Sequence, residues 1–361
     1  MIDRICLYQL GFPLTVPYQL SSGDLTLFDP IVVEVTDTDG RTGWGEALII
    51  QGYTPESVED AWGLCRELAE RITGMDAAAA QQAILARLEA SVGAGSALLA
   101  AIDMMQGHPL LSPKTDTVVP LLAPCQAHEP AAIRAEVDRL IDEGFRTLKI
   151  KVGFDWRDDL ERIGQIQAAV AGRATLRLDA NRGFNEADGK DFASRLDPAG
   201  IELFEQPCGS DEWAENAAVA AVSTVPVMLD ESIYGMAEIE RAATIKGVGY
   251  VKLKLKKIGS IDMLVAGLQR IRERGMRTVM GDGVSIEIGC WMEACVAPGT
   301  IDNAGEMNGF LKARDRLFAN PLQFKQGAIV LPAGYHPEID RASLKSHTLR
   351  SETFRRHRSA A

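Results

Sequence analysis

Histidine is scarce here: five in 361 residues (His108, His128, His336, His347 and His357). Cysteine is little used as well. Cys6, Cys65, Cys125, Cys208, Cys290 and Cys295 form no CxxC pair and have nothing of a disulfide scaffold's density, so they read as reduced thiols. No apolar run approaches the roughly 18 residues of a membrane span. Met1 to Leu10 carries Asp3 and Arg4 and lacks the apolar centre of a signal peptide. Positive charge is in deficit, with 38 Lys and Arg against 50 Asp and Glu, a net charge of -12. That balance argues against nucleic acid or an anionic membrane surface as partner. A cytoplasmic protein is expected, working on a small molecule and with no membrane partner.

What the chain does have is a period. Five short runs, LKIKVG (148–153), LRLDANRGF (176–184), LFEQP (203–207), VMLDES (227–232) and VKLKLKK (251–257), each read as a buried parallel strand ending in charge. From Lys151 through Asp179, Glu205 and Asp230 to Lys254 the steps are 28, 26, 25 and 24 residues. Each step fits one strand plus one crossover helix. Before the runs come a strand in VVPLLAPC and a helix over Pro130 to Asp142. After them come a strand in RTVMGDGV (277–284) and a weak last one in AGEMNG (304–309). About eight βα units imply a parallel barrel, with the charges at the carboxyl-terminal mouth where such barrels do chemistry.

The first 115 residues differ. Ile31 to Val35, a TDG turn and a strand to Gly45 predict a hairpin, and Ala- and Leu-rich segments predict helices over 77–89 and 94–105. Thr54 with Pro55 predicts a helix start running to Ile72. Val16 to Asp29 and Leu48 to Pro55 read as loops. The fold class predicted is α/β, a modified (β/α)8-type (TIM-like) barrel over 116–324. An α+β capping domain over 1–115 is joined by the C-terminal segment 325–361, whose RRHRSAA end reads as frayed. The loop from Tyr18 to Asp29, rich in Ser and Gly, is expected to close over the mouth as a lid.

Three carboxylates on adjacent strand tips, about 4.8 Å apart per strand, would repel unless they share a cation or pair with neighbouring lysines. Oxygen donors of this kind suit a hard divalent ion. Lys149 and Lys151 lie two apart on one strand and point the same way. Crowding and burial should drive such a lysine toward the neutral form that a general base needs. Lys252, Lys254, Lys256 and Lys257 all compete for the position across the ring.

KIKVG, RLDANRGF, FEQP, LDES and KLKLKKIGS, in this order and spacing, resemble the enolase superfamily, in particular its muconate lactonising enzyme subgroup. The resemblance covers nearly the whole chain. It implies Mg²⁺ (or Mn²⁺) held by Asp179, Glu205 and Asp230. It also implies removal of an α-proton from a metal-bound carboxylate substrate, through a Mg-stabilised enolate. By motif position Lys151 matches the acid/base lysine, Lys149 its pKa-tuning neighbour, and Lys254, five residues before Gly259, the opposing lysine. Glu306 falls where the subgroup has an acid on the eighth strand. Tyr18, Ser21, Asn181, Asp282 and Glu306 are the expected substrate contacts. Where many members carry a Glu after the seventh strand this chain has Ser285, and the DxD of many dipeptide epimerases is absent. No histidine falls on strands two to eight, which argues against the mandelate-racemase-like subgroup. The GDG at 281–283 is no dinucleotide fingerprint, because Ile286 replaces the third glycine. The expected activity is a racemase or epimerase of amino acid derivatives or dipeptides using two lysine acid/bases. A cycloisomerase or lyase (muconate-lactonising, o-succinylbenzoate-synthase or dehydratase type) is the alternative, and a metal-binding protein without turnover a remote one. A homo-oligomer is expected.

Overall fold

A computed structural model describes residues 1–20, 23–50 and 52–356. The chain opens with β1 (Ile2–Leu10), β2 (Phe12–Leu20), β3 (Gly23–Phe28), β4 (Ile31–Asp37) and β5 (Thr42–Ala47). β4 and β5 form the hairpin expected at the TDG turn, where Asp37 accepts the Asp39 and Arg41 N–H groups at 2.9 Å each. The expected loop over 16–29 is instead a hairpin of β2 and β3. Thr15, Val16, Leu25 and Leu27 supply the strand character, with Phe12, Leu14 and Phe28 buried beneath it. Its base is stitched to the chain after the barrel: Thr15 N–H donates to the Lys312 carbonyl (2.9 Å) and Arg314 N–H to that of Pro13 (2.8 Å).

Three helices follow, α1 (Val58–Ile72), α2 (Ala77–Leu85) and α3 (Val92–Met105). α1 starts at Ser57, not at Thr54 with Pro55. Ser57 and Asp60 form a reciprocal capping box that satisfies two orphan N–H groups, whereas Thr54 Oγ1 donates to the Ile50 and Glu56 carbonyls. α3 lies hard against β5. A Cβ on Gly45 would sit 1.9 Å from the Ala97 carbonyl oxygen and one on Gly43 2.0 Å from that of Ala101. Gly45→Ala therefore forces backbone apart and is expected to cost about 3 kcal/mol or more. Denaturant unfolding checks this; an unchanged midpoint would contradict the close approach.

The expected first barrel strand is split. β6 (Thr117–Pro120) leaves the barrel to pair elsewhere, and only β7 (Ala123–Pro124) joins it. α4 (Pro130–Asp142), β8 (Thr147–Lys151), α5 (Trp156–Val170), β9 (Thr175–Asp179), α6 (Glu186–Arg195), β10 (Ile201–Glu205) and α7 (Trp213–Val222) then alternate. β11 (Val227–Leu229), α8 (Met236–Ala242), β12 (Val248–Leu253), α9 (Leu255–Ile258), α10 (Ile261–Glu273), β13 (Arg277–Met280) and α11 (Glu287–Val296) complete the series. The parallel sheet runs in sequence order from β7 to β13, and all its interior apolar residues are buried. The expected eighth strand in AGEMNG shrinks to a bridge, yet it closes the ring. Glu306 N–H donates to the Met280 carbonyl (3.0 Å), Gly305 N–H to Pro120 (2.9 Å) and Leu122 N–H to Gly305 (3.0 Å).

After the barrel, β14 (Gln323–Lys325) and β15 (Ala328–Leu331) form a small sheet with β6. Then α12 (Arg341–His347) leads into β16 (Thr348–Arg355), which pairs antiparallel with β1 at the edge of the β1, β4, β5 sheet. Of the frayed end read into RRHRSAA, Arg355 lies in β16 and residues 357–361 fall outside the described residues. Among the described residues no helix is long and apolar enough to cross a membrane.

Candidate active site

The barrel register brings the charged strand ends together. Lys151 stands opposite Asp179 across β8 and β9, and Asp179 opposite Glu205 across β9 and β10. Asp230 follows β11 directly, and Lys254 follows β12. All three acids are at most 1% exposed. Each is paired with lysine. Lys149 Nζ lies 2.8 Å from Asp179, 3.0 Å from Glu205 and 2.9 Å from Glu306. Lys151 Nζ lies 2.7 Å from Asp179 and also donates to Asn181 Oδ1. Lys254 Nζ lies 2.7 Å from Asp230 and touches the Tyr53 hydroxyl, which donates to the same carboxylate at 3.1 Å.

These pairings reverse one expectation. Burial is the largest influence on Lys151 and pushes it down, as anticipated, but Asp179, Tyr18 and Glu306 together outweigh burial and the repulsion of Lys149, so Lys151 is held above its ordinary value. Burial likewise opposes the charge of Lys149 and Lys254, yet their carboxylates hold both well above it. Crowding by one lysine is weaker than contact with a buried carboxylate. Among the acids, burial and the Asp179 charge push Glu205 up to about 7. Burial would also raise Asp230, but Lys254, Lys257 and Lys252 hold it well below the carboxylate range.

Of the expected substrate contacts, Tyr18 lies on β2 with the Lys312 ammonium 4.1 Å from its ring centre. Asn181, in a left-handed conformation (φ 42°), bridges Lys151 and Glu231. Asp282 pairs with Lys256 at 2.9 Å and accepts from Ser285 at 3.0 Å. Glu306 is locked between Lys149 and Lys252. Ser21 lies outside the described residues. Tyr18, Lys151, Asn181, Asp282, Glu306 and Lys254 all line one tight cavity of about 30 Å³ among the strand ends. A larger cavity of about 570 Å³ adjoins it on the Lys151 side, bounded by Leu122, Gln126 and Lys312.

Two participants, Tyr53 and Glu231, carry no sequence signal, and a third, Lys252, is not separated there from its neighbours. Tyr53 sits in the loop at 48–55, and only tertiary folding brings its hydroxyl to Lys254. Lys252 was one of four competing lysines; it is 2% exposed and bonded to Glu205 (3.2 Å) and Glu306. Glu231, beside Asp230, had no spacing signal.

Residues 132–336 match the model of the enolase C-terminal domain-like family, more than half of the chain. The chain belongs to that family. It is an enzyme of the enolase superfamily, of the racemase, epimerase and cycloisomerase kind. Its sequence is similar to the L-Ala-D/L-Glu epimerase of Bacillus subtilis, 28% identical over 314 residues, covering 80% of this chain and 82% of that one. Its fold is similar to that of the N-succinyl Arg/Lys racemase from Bacillus cereus, with a TM-score of 0.89 at 22% identity over 98% of this chain and 100% of the other. It is also similar in fold to a dipeptide epimerase from Cytophaga hutchinsonii, complexed with Mg and the dipeptide D-Ala-L-Val. That match has a TM-score of 0.87 at 23% identity, covering 98% of this chain and 99% of the other.

For a metal of the enolase superfamily, the donor set in this chain fits in kind. Asp179 and Glu205 already converge on one positive charge, the Lys149 ammonium. Glu205 and Asp230 flank a second, Lys252, at 3.2 and 3.8 Å. Among the described residues no three acids are drawn into a cage, because the ammonium groups stand between them. All-oxygen donors on three adjacent buried tips suit a hard divalent cation.

Proposed function

We propose that this enzyme is a racemase or epimerase acting at the α-carbon of a carboxylate substrate of the amino acid derivative or dipeptide class. Lys151 and Lys254 are its two acid/base groups, and Asp179, Glu205 and Asp230 hold Mg²⁺ or Mn²⁺. The observation that carries this reading is that both lysines line one cavity from opposite sides of the three carboxylates, each paired with a different acid. A divalent cation bound there would supply positive charge beside the substrate carboxylate and make its α-proton more acidic. Burial is the largest single influence on both lysines and favours the neutral form. A carboxylate committed to another cation no longer supports its lysine, and burial then drives that lysine toward the base it must be. Asn181 fixes the Lys151 ammonium and the Tyr53 hydroxyl fixes that of Lys254, so each is aimed before substrate arrives. The wider cavity on the Lys151 side is room for the rest of the substrate.

The test is a screen in deuterated water with Mg²⁺, taking L-Ala-L-Glu and L-Ala-D-Glu, N-succinyl-lysine and other N-acyl amino acids, betaines and hydroxyacids. Racemisation replaces the α-proton by deuterium and leaves the compound otherwise intact. An alkene or lactone product with no exchange into recovered substrate would instead favour a lyase or cycloisomerase. Tyr53→Phe, which removes one neutral hydrogen-bonding group from Lys254, is expected to slow turnover by about 3- to 10-fold. An unchanged rate would contradict the role given to Tyr53.

A further inference from the structure

Behind Lys254 stands a carboxylate that the chemistry above leaves unused. Glu293, on α11, is 1% exposed. One of its oxygens accepts the Leu255 N–H at 3.0 Å and the other accepts the Asp282 N–H at 2.9 Å. Leu255 is the residue after Lys254 and the first of α9; Asp282 lies in the loop after β13. One side chain therefore joins the backbones of two barrel loops, the one that carries Lys254 and the one that carries Asp282.

The Leu255 amide needs such a partner. It opens a helix of four residues, where the first N–H groups have no intrahelical acceptor, and Lys254 at the N-cap gives no side-chain cap. A buried N–H without an acceptor is costly, so the Glu293 oxygen fixes where the backbone at 254–255 lies. Among the described residues the carboxyl makes no hydrogen bond on the other side of the mouth, where Lys151 is held by Asp179 and Asn181. The clamp is one-sided. Burial, with Asp282 behind it, pushes the Glu293 carboxyl up to about 7; an amide at this position leaves only one of the two acceptor oxygens.

The geometry points to Glu293 as a positioning residue for Lys254, one that sets the efficiency of proton transfer on a single face of the substrate. This rests on the two-lysine reading above. An error of about 1 Å in the placement of a reacting group costs on the order of 10²-fold in rate.

The experiment combines two measurements on the full-length enzyme with Glu293→Gln and Glu293→Asp. The first needs no substrate: amide hydrogen exchange of the segments 254–258 and 281–285. Both variants should speed exchange at Leu255 and Asp282 and leave 147–151 protected as before; unchanged protection at Leu255 would overturn the clamp. The second is α-proton exchange in deuterated water with each stereoisomer of a pair, L-Ala-L-Glu and L-Ala-D-Glu or the pair from the screen that exchanges. Glu293→Gln should lose about 10- to 100-fold with the stereoisomer whose exchange depends on Lys254, and less than about 3-fold with the other. Glu293→Asp, which keeps a carboxylate, should recover part of that loss. An equal loss for both stereoisomers would mean a general structural role and would overturn the proposal. If Lys151→Ala and Lys254→Ala did not themselves separate the stereoisomers, the two-lysine reading would fail, and the amide exchange would still decide whether the clamp exists.

Discussion

Asp230→Asn is expected to abolish measurable Mg²⁺ binding and to lower turnover by at least about 10³-fold. Asp230 accepts from Lys254 and Tyr53 on one oxygen, its other oxygen is 3.5 Å from Lys257, and its backbone carbonyl takes a second contact from Lys257 at 2.7 Å. Exchanging the carboxylate for an amide removes the charge but keeps the volume. Three buried ammonium groups, those of Lys252, Lys254 and Lys257, then lose a shared counter-charge. Breaking a buried pair in this way costs about 3 to 5 kcal/mol, so the variant should also melt earlier while keeping its fold. The direction for Lys257 is already visible: burial pushes it down to about 8 even with Asp230 present. Without Asp230 the lysines should shed protons more readily, which relieves part of the cost as pH rises. Calorimetric titration with Mg²⁺ reads the binding and circular dichroism the fold. A variant that bound Mg²⁺ as the parent does, or a chelator-treated parent that kept full turnover, would contradict the role given to Asp230.

Much of the barrel and its mouth could be read from the sequence because the signal there is periodic. A buried parallel strand is a near-continuous apolar run, and a charge at its end recurs with every βα unit, so Lys151, Asp179, Glu205, Asp230 and Lys254 announce themselves. Glu205 and Asp179 share a register position because β9 and β10 end in step, after a register shift between Ile201 and Leu203. What could not be read follows from contacts that leave no period. α11 is buried at all ten positions, so its sequence EIGCWMEACV has no polar stripe to mark a helix. The Ser-Ser-Gly stretch at 21–23 dominates a local reading of residues 16–29, while β2 is fixed by contact with residues 312–314 and β3 by pairing with β2. Lys252 in β12 and Lys254 just beyond its end have the same two-residue parity, and only the acids across the barrel give the first to Glu205 and Glu306 and the second to Asp230. The lysine ionisation differs from the sequence expectation for the same reason. The sequence neighbours Lys149 and Lys151 repel, but the carboxylates that decide the outcome come from other strands.

The largest effect belongs to the lysines themselves. General acid/base catalysis contributes about 10² to 10⁴ in rate, so Lys151→Ala and Lys254→Ala should each lose at least that much in racemisation, which needs both faces. Their partners differ, Asp179 and Asn181 for one and Asp230 and Tyr53 for the other, so neither lysine can stand in for its opposite. Half of the chemistry should nevertheless survive in each variant, since removing an α-proton and returning it on the same side needs only one base. The most direct test is therefore α-proton exchange in deuterated water, measured by NMR with each stereoisomer separately. Lys151→Ala should abolish exchange with one stereoisomer and keep it with the other, and Lys254→Ala should show the reverse. Loss of exchange with the same stereoisomer in both variants would contradict the two-base account and leave one lysine as the only base, with the other confined to holding charge.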